Sequence, residues 1–261
     1  SSYTIEYKNS QFVVHCSIQP LPRRRGYFRT LLLSTLVCVV IYLCITSAAK
    51  AQTFDDHDFE LRNDNTFVIP LLSSTSGSKK KDRLNLLIGQ TNRIGCDGFY
   101  LNDERIGAGF DVILNKYLSF SPTYLYRASR SNRFRWDYEH RIRFDATVGK
   151  SWNRFGIKNR NRIERRIRNS RSDSTRYRNR TTVNFPISSH DKKVFDIYSS
   201  IEPFYDFNAD QWTVYEFAAG LSRKFDSHIS GEFFYFHRGN LQANQTRIDA
   251  VGVNLKIRIG K

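Results

Sequence analysis

The stretch "RFRWDYEHRIRFDATVG", residues 133–149, decides the fold. Its even positions are Phe134, Trp136, Tyr138, His140, Ile142, Phe144, Ala146 and Val148. Its odd positions are Arg133, Arg135, Asp137, Glu139, Arg141, Arg143, Asp145 and Thr147. One set is aromatic and aliphatic, the other almost wholly charged. Side chains alternate across a β-strand, so a period of two sorts these residues onto two faces. A helix would scatter them around its circumference.

Reading outward, the same pattern recurs. In "KNRNRIERRIRN" (158–169) the even positions are Lys158, Arg160, Arg162, Glu164, Arg166 and Arg168. The other face carries Ile163 and Ile167, diluted by Asn159, Asn161 and Arg165. Next, Arg176, Arg178, Arg180 and Asn184 oppose Tyr177, Val183, Phe185 and Ile187. Acids follow: Asp196, Glu202 and Asp206 oppose Phe195, Ile197, Ile201 and Tyr205, Glu216 opposes Phe217 and Leu221, and Glu232 opposes Phe233 and Tyr235. The last strand sets Asn254, Lys256 and Arg258 against Val253, Leu255, Ile257 and Ile259. Residues 83–90, 104–114 and 117–129 read as strands with a less regular alternation.

These strands run roughly 11 to 16 residues, well beyond the usual ~5–6 of globular proteins. A membrane-crossing strand needs about 9–11 tilted residues, apolar toward lipid and polar toward the lumen. The charge on one face would be out of place in a soluble sandwich. The expectation is an all-β, antiparallel, up-and-down transmembrane barrel, since only helices and closed barrels satisfy every backbone group in lipid.

The net charge of +16 on 261 residues would also suit a nucleic-acid partner, but the leader argues for export. Arg23, Arg24, Arg25 and Arg29 form a positive region, Leu31 to Ile45 is an apolar core, and Ala49-Lys50-Ala51 is a small-x-small cleavage site. That order reads as a secretory signal peptide over 23–51, cleaved after Ala51. The core is shorter than the ~20 residues of a membrane anchor. Residues 1–22 carry no such pattern, and the chain has no methionine, so this segment is expected to lie upstream of the natural product. Without residues 1–51 the chain keeps 35 basic and 24 acidic residues, net +11. Cys96 is then its single cysteine, which excludes an intrachain disulfide. No nucleic acid is expected as a partner.

The connections between strands largely alternate longer and shorter, as loops and turns do in outer-membrane barrels. Counting from residue 83 gives ten strands in a barrel domain over 83–261. Residues 52–82 are either a lead-in or two further strands, for a total of twelve. An even number would leave both ends of the barrel at the periplasmic mouth.

Five motifs in order carry a resemblance: "EHR" (139–141), "NRNRIERR" (159–166), "RYRNR" (176–180), "EPFYDF" (202–207) and "FAAGLSRKF" (217–225). Over about residues 83–259 the chain resembles domain-of-unknown-function family 2490, predicted outer-membrane β-barrels of Gram-negative bacteria. It departs at "WTVYEFAAG" (212–220), where relatives carry an asparagine-arginine pair before the glycine, and it ends in "RIGK" rather than an aromatic residue. The resemblance implies the outer membrane and a barrel; it implies no activity.

The charged face supplies the candidate site. Glu139, Arg141, Arg160, Arg162, Glu164, Arg166, Arg178, Arg180, Glu202, Asp206 and Glu216 are expected to line the lumen and pair with one another. Arginine–carboxylate pairs are directional and strong, and opposite charges on facing strands would set register. Eight strands leave an interior just filled by side chains, and open channels come with about sixteen. A packed, structural lumen is therefore the first expectation. A narrow basic passage or pocket for a small anionic solute or lipid head group is the alternative.

A lipid-modifying barrel enzyme is the third reading, and the sequence argues against it. Barrel lipases and acyltransferases need a nucleophile beside a base. Here His140 reads as lipid-facing, His190 lies in a turn and His237 near a strand end. His228 and Ser230 share a face but only as i,i+2 neighbours. No metal-ligand spacing and no cofactor motif occurs. Tyr124, Tyr126, Trp136, Tyr138, Trp152, Tyr177, Trp212, Tyr215 and Tyr235 read as interfacial girdles. Outer-membrane lipid and the barrel-assembly machinery are the expected partners.

Overall fold

The two-faced stretch around residue 140 forms one strand of a closed barrel, and ten more strands repeat its design. The computed structural model describes residues 57–76, 79–95, 100–132, 135–189, 192–241 and 247–260. The strands are β1 (His57–Ser76), β2 (Lys79–Gly95), β3 (Tyr100–Ile113), β4 (Leu118–Asn132), β5 (Arg135–Ser151), β6 (Gly156–Arg168), β7 (Ser174–Ser189), β8 (Lys192–Asp206), β9 (Gln211–Lys224), β10 (Ile229–Asn240) and β11 (Arg247–Arg258). Consecutive strands pair antiparallel, and β1 closes on β11 in parallel. No helix of the described residues is long and apolar enough to cross a membrane; the described residues are built of strands.

The barrel is apolar outside and polar inside. Phe144, Ile163 and Ile201 are about half exposed, at 47%, 52% and 53%, while Glu164 and Glu202 are 0% and 1% exposed. In a soluble protein desolvation would drive the opposite sorting. The inversion follows from parity: on β5 to β9 each charge two residues from the next points inward, and every β-branched or aromatic residue between them points out. Aromatics also take positions of inward parity. Phe204, Phe234 and Phe236 are buried inside, the last two packed with Ala250, Tyr198 and Ala218.

Side-chain oxygens hold several turns. Asn115 Oδ1 accepts from the backbone N–H groups of Tyr117 and Leu118 at 2.8 and 3.0 Å between β3 and β4. Asp226 does the same for His228 and Ile229 at 2.6 and 2.8 Å between β9 and β10. Such Asx turns let a short polar residue replace a missing ladder bond. Asp210, at φ 50°, takes the left-handed conformation that Asp tolerates better than most residues.

The strand count corrects the expectation of ten or twelve antiparallel strands. Among the described residues there are eleven, because residues 57–82 contribute one whole strand, β1, and the start of β2. Sequence alternation fails on β1 because Asn63 and Asn65 occupy the outward face where apolar residues were expected. An odd count also places the start of β1 and the end of β11 at opposite mouths, rather than both at one. Between the expected strands 83–90 and 104–114, β2 continues to Gly95 and β3 begins at Tyr100, because Asn92 pairs with Glu104 and Arg93 with Asp103 beside a bulge. The signal-peptide reading, the upstream segment, Cys96 and His190 lie outside the described residues.

Candidate functional site: the charged lumen

The site begins as a spacing. An acid two residues before an arginine puts both on one face of a strand, close enough to pair. Three strands use it: Arg62 meets Glu60 at 2.7 Å on β1, Arg105 meets Asp103 at 2.7 Å on β3, and Arg141 meets Glu139 at 2.8 Å on β5. Further arginines then converge on each acid from neighbouring strands. Arg127 of β4 bridges Asp103 and Glu139, at 2.6 and 3.3 Å, and Arg166 of β6 also binds Glu139.

The centre of the lumen holds two fully buried carboxylates. Glu164 on β6 is met by Arg176 at 2.6 Å, with Arg141 and Arg178 at 3.7 and 4.0 Å. Glu202 on β8 is met by Arg160, Arg178 and Arg180 at 2.7, 2.8 and 2.5 Å. Glu216 on β9 takes Arg178 at 3.3 Å and Arg180 at 3.7 Å, and also Arg238 of β10. Arg162 and Asp145 form a two-pronged pair, with both contacts at 2.6 Å, and Arg105 makes the same fork to Asp103 at 2.7 and 2.9 Å.

Opposite charges on facing strands form some of the simple rungs expected from the sequence: Glu164 faces Arg176, Asp145 faces Arg162, and Glu139 faces Arg127. Other directly opposed residues carry like charge: Arg141 faces Arg166, Arg160 faces Arg180, Arg162 faces Arg178, and Glu202 faces Glu216. Ion pairing there runs diagonally, and some pairs skip a strand altogether, as Arg160 of β6 does in reaching Glu202 of β8. Long guanidinium arms span that gap and bind in planar forks, which lysine could not do. The mesh therefore ties together strands that share no backbone hydrogen bonds.

Of the residues named from sequence, Glu139, Arg141, Arg160, Arg162, Glu164, Arg166, Arg178, Arg180, Glu202 and Glu216 all enter these ion pairs. Asp206 stands apart. The register shifts between Phe204 and Tyr205, and Asp206, the last residue of β8, accepts the backbone N–H of Asn208 at 3.0 Å at the head of a turn. Sequence reasoning left out Glu60, Arg62, Asp103, Arg105, Arg127, Asp145, Arg176 and Arg238. The acid-x-arginine spacing would have found two of those pairs. It also missed the inward aromatics, over which guanidiniums stack: Arg178 lies 3.9 Å from the Phe204 ring centre and Arg62 lies 3.6 Å from that of Phe236.

Toward the mouth where β3 meets β4 and β5 meets β6, the packing opens into a cavity of about 710 Å³. Lys158, Asp111, Ser119, Thr147 and Asn184 line it from the strands, with Lys116 and Asn115 at its rim. The histidines lie elsewhere. His140 accepts or donates a 2.6 Å bond with Tyr124 on the outer surface, and His237 lies 2.9 Å from Asp249, also outside. His228 bonds Ser227 in its turn at 2.9 Å rather than Ser230. Among the described residues no cluster of His, Cys, Asp and Glu could hold a metal ion.

Residues 73–249 match the profile of a family described as a protein of unknown function, DUF2490. The chain belongs to the DUF2490 family. Two solved structures are similar to this DUF2490 protein: the NanC porin, at 11% identity and a TM-score of 0.40, and LpxR from Salmonella typhimurium, at 8% identity and a TM-score of 0.40. Each alignment covers 68% of this chain, with 86% of the porin and 83% of LpxR. No curated protein matches the DUF2490 chain in sequence.

Proposed function

We propose that the protein resides in the outer membrane of a Gram-negative bacterium as a structural barrel with a sealed lumen. The carrying observation is the complete burial of Glu164 and Glu202, each among three arginines, in the middle of the barrel. A channel of this charge would leave its acids and arginines solvated. Here they neutralise one another across the bore, and Phe204, Phe234 and Phe236 fill the space between. The apolar outer band, with Trp152 and Tyr117 at one edge and Tyr138 toward the other, matches the hydrocarbon layer and its interfacial girdles. Outer-membrane lipid and the assembly machinery are the partners this reading needs.

The test is a purified, folded barrel in a planar lipid bilayer. The expected result is folded protein whose mobility shifts on boiling, with no steady conductance. Sustained channel activity would overturn the sealed lumen. Recovery of the chain in a soluble fraction, with no boiling shift, would overturn the membrane barrel.

A second reading rests on the open cavity. Lys158 projects into it beside amide and hydroxyl groups, and Lys116 stands at its rim, a suitable lining for a small anion or a lipid head group. On this reading the barrel docks an anionic ligand at one mouth without passing it through. Inorganic phosphate and phosphatidylglycerol vesicles are the probes. Binding that Lys158→Glu abolishes would support the pocket, and unchanged binding would remove it. We do not propose catalysis: His237 and Tyr235 both bond Asp249 on the outer surface, away from the cavity.

A further inference from the structure

The charged mesh fills only part of the lumen, and two lysines lie outside it. Lys158 of β6 and Lys256 of β11 point into the bore by strand parity, each two residues from its strand's end at the mouth that holds the cavity. Both are nevertheless exposed, so water reaches them from that mouth. β6 and β11 stand five strands apart in a ring of eleven, on opposite walls.

Their surroundings differ from those of the mesh. Lys158 is paired across the sheet with Gly149 and Thr182, and Lys256 with Ser230 and Thr66, all short and uncharged. Among the described residues neither ammonium makes a hydrogen bond or an ion pair. The acids of this part of the lumen are held by neutral donors instead. Asp111 accepts from Ser121 at 2.8 Å, and Glu232 accepts from Asn254 at 2.8 Å and Tyr198 at 3.5 Å. The charges that act most strongly on Lys158 are those of Arg160, Lys256, Asp111 and Arg180, three cations against one acid. One step deeper, Arg180 keeps 36% of its side chain exposed while it binds Glu202. Two ammoniums facing each other across water repel, and an anion between them removes the repulsion.

We propose that Lys158 and Lys256 clamp a small solute carrying two phosphate groups, one against each wall. The inference deepens the pocket reading above and rests on it. A phosphate offers several strong acceptor oxygens, which the hydroxyls of Thr182, Ser230 and Thr66 can meet beside the ammoniums. Lysine suits the task because its charge sits on a flexible stem that can follow either end of the ligand. Both side chains face the bore, so the occupant arrives from the aqueous mouth and not from the bilayer.

The test is calorimetric titration of the purified, folded full chain with inorganic phosphate and with pyrophosphate at one ionic strength. Pyrophosphate is expected to bind roughly tenfold tighter, because its second contact forms within an existing complex. Lys256→Gln should remove that preference and leave phosphate binding and the boiling shift unchanged. Arg223→Gln, which takes a charge from over Phe225 on the outer face, should leave the preference intact. A parent without the preference, a preference that survives Lys256→Gln, or one lost equally in Arg223→Gln would overturn the clamp and leave the single-anion pocket standing. Displacement of pyrophosphate by phosphatidylglycerol vesicles would overturn the solute in favour of a lipid head group. Binding of neither probe would overturn the pocket reading as well.

Discussion

Glu164 and Arg176 sit directly opposite each other on β6 and β7 and meet at 2.6 Å inside the barrel, where Glu164 has no exposed surface. Two more arginines, Arg141 and Arg178, lie within 4.0 Å of the same carboxylate. Removing the acid would leave three guanidiniums close together in a desolvated space. Breaking a buried charge pair costs about 3–5 kcal/mol, chiefly through the charge left behind.

Glu164→Ala is therefore expected to lower the temperature of the mobility shift on gels, or to block assembly. Arg171→Ala, on the exposed segment between β6 and β7, is expected to change neither. Equal shifts for the two variants would remove the mesh from any account of stability.

Glu202 offers a separate readout. It gathers Arg160 of β6 and Arg178 and Arg180 of β7, and its loss would leave these three guanidiniums with one carboxylate fewer inside the bore. Rings of like charge select the opposite ion in pores. If Glu202→Ala still folds, it is expected to convert a silent barrel into one with a small anion-selective leak. Cation selectivity, or silence in a folded variant, would show that the seal depends on Phe204 and its neighbours rather than on charge.

Much of this was legible in the sequence because alternation is strongest where both faces are extreme. On β5 and β6 arginines alternate with isoleucine, phenylalanine and tyrosine, and the strands, their direction and their inward face all follow. β1 was hidden because Asn63 and Asn65 blur the outward face, and β1 decides whether the count is even or odd. The mesh was legible residue by residue but not pair by pair. Sequence gives the face of Arg160 but not that its arm passes β7 to reach Glu202. The inward aromatics went unread for a related reason: Phe204 and Phe236 share the inward parity of Glu202 and Arg238, yet their chemistry alone suggests lipid.

The turn at Asp226 predicts a pH effect outside the membrane band. Its carboxylate accepts two backbone N–H groups, from His228 and Ile229, and these hold its pKa below the ordinary aspartate value. A depressed pKa means the folded state binds its proton less readily than the unfolded state. The stabilisation is thus present above the ordinary aspartate range and is lost as pH falls through the depressed value. Asp226→Ala should unfold at a lower denaturant concentration than the parent at pH 7, and the gap should shrink in strong acid. A gap independent of pH would assign the turn's stability to its backbone alone.

The parallel closure of β1 on β11 is the sharpest topological prediction. Leu61 stands opposite Val251, and Asn65 opposite Leu255, with both strands running the same way. Paired residues on adjacent strands lie about 4.5–5.5 Å apart at Cα, within the ~4.4–6.8 Å range of a disulfide. In a Cys96→Ser background, Leu61→Cys with Val251→Cys should form an intramolecular disulfide that changes mobility without reductant. Leu61→Cys with Leu255→Cys should not, because four residues along a strand displace the partner by about 13 Å. If the barrel instead closed β2 on β11 with β1 outside, neither pair would form. If β1 ran antiparallel to β11, pairs on either side of the matched one would shift in opposite directions along the two strands. A third pair, Asn65→Cys with Leu255→Cys, separates these cases: only the parallel register joins it as well as Leu61 with Val251.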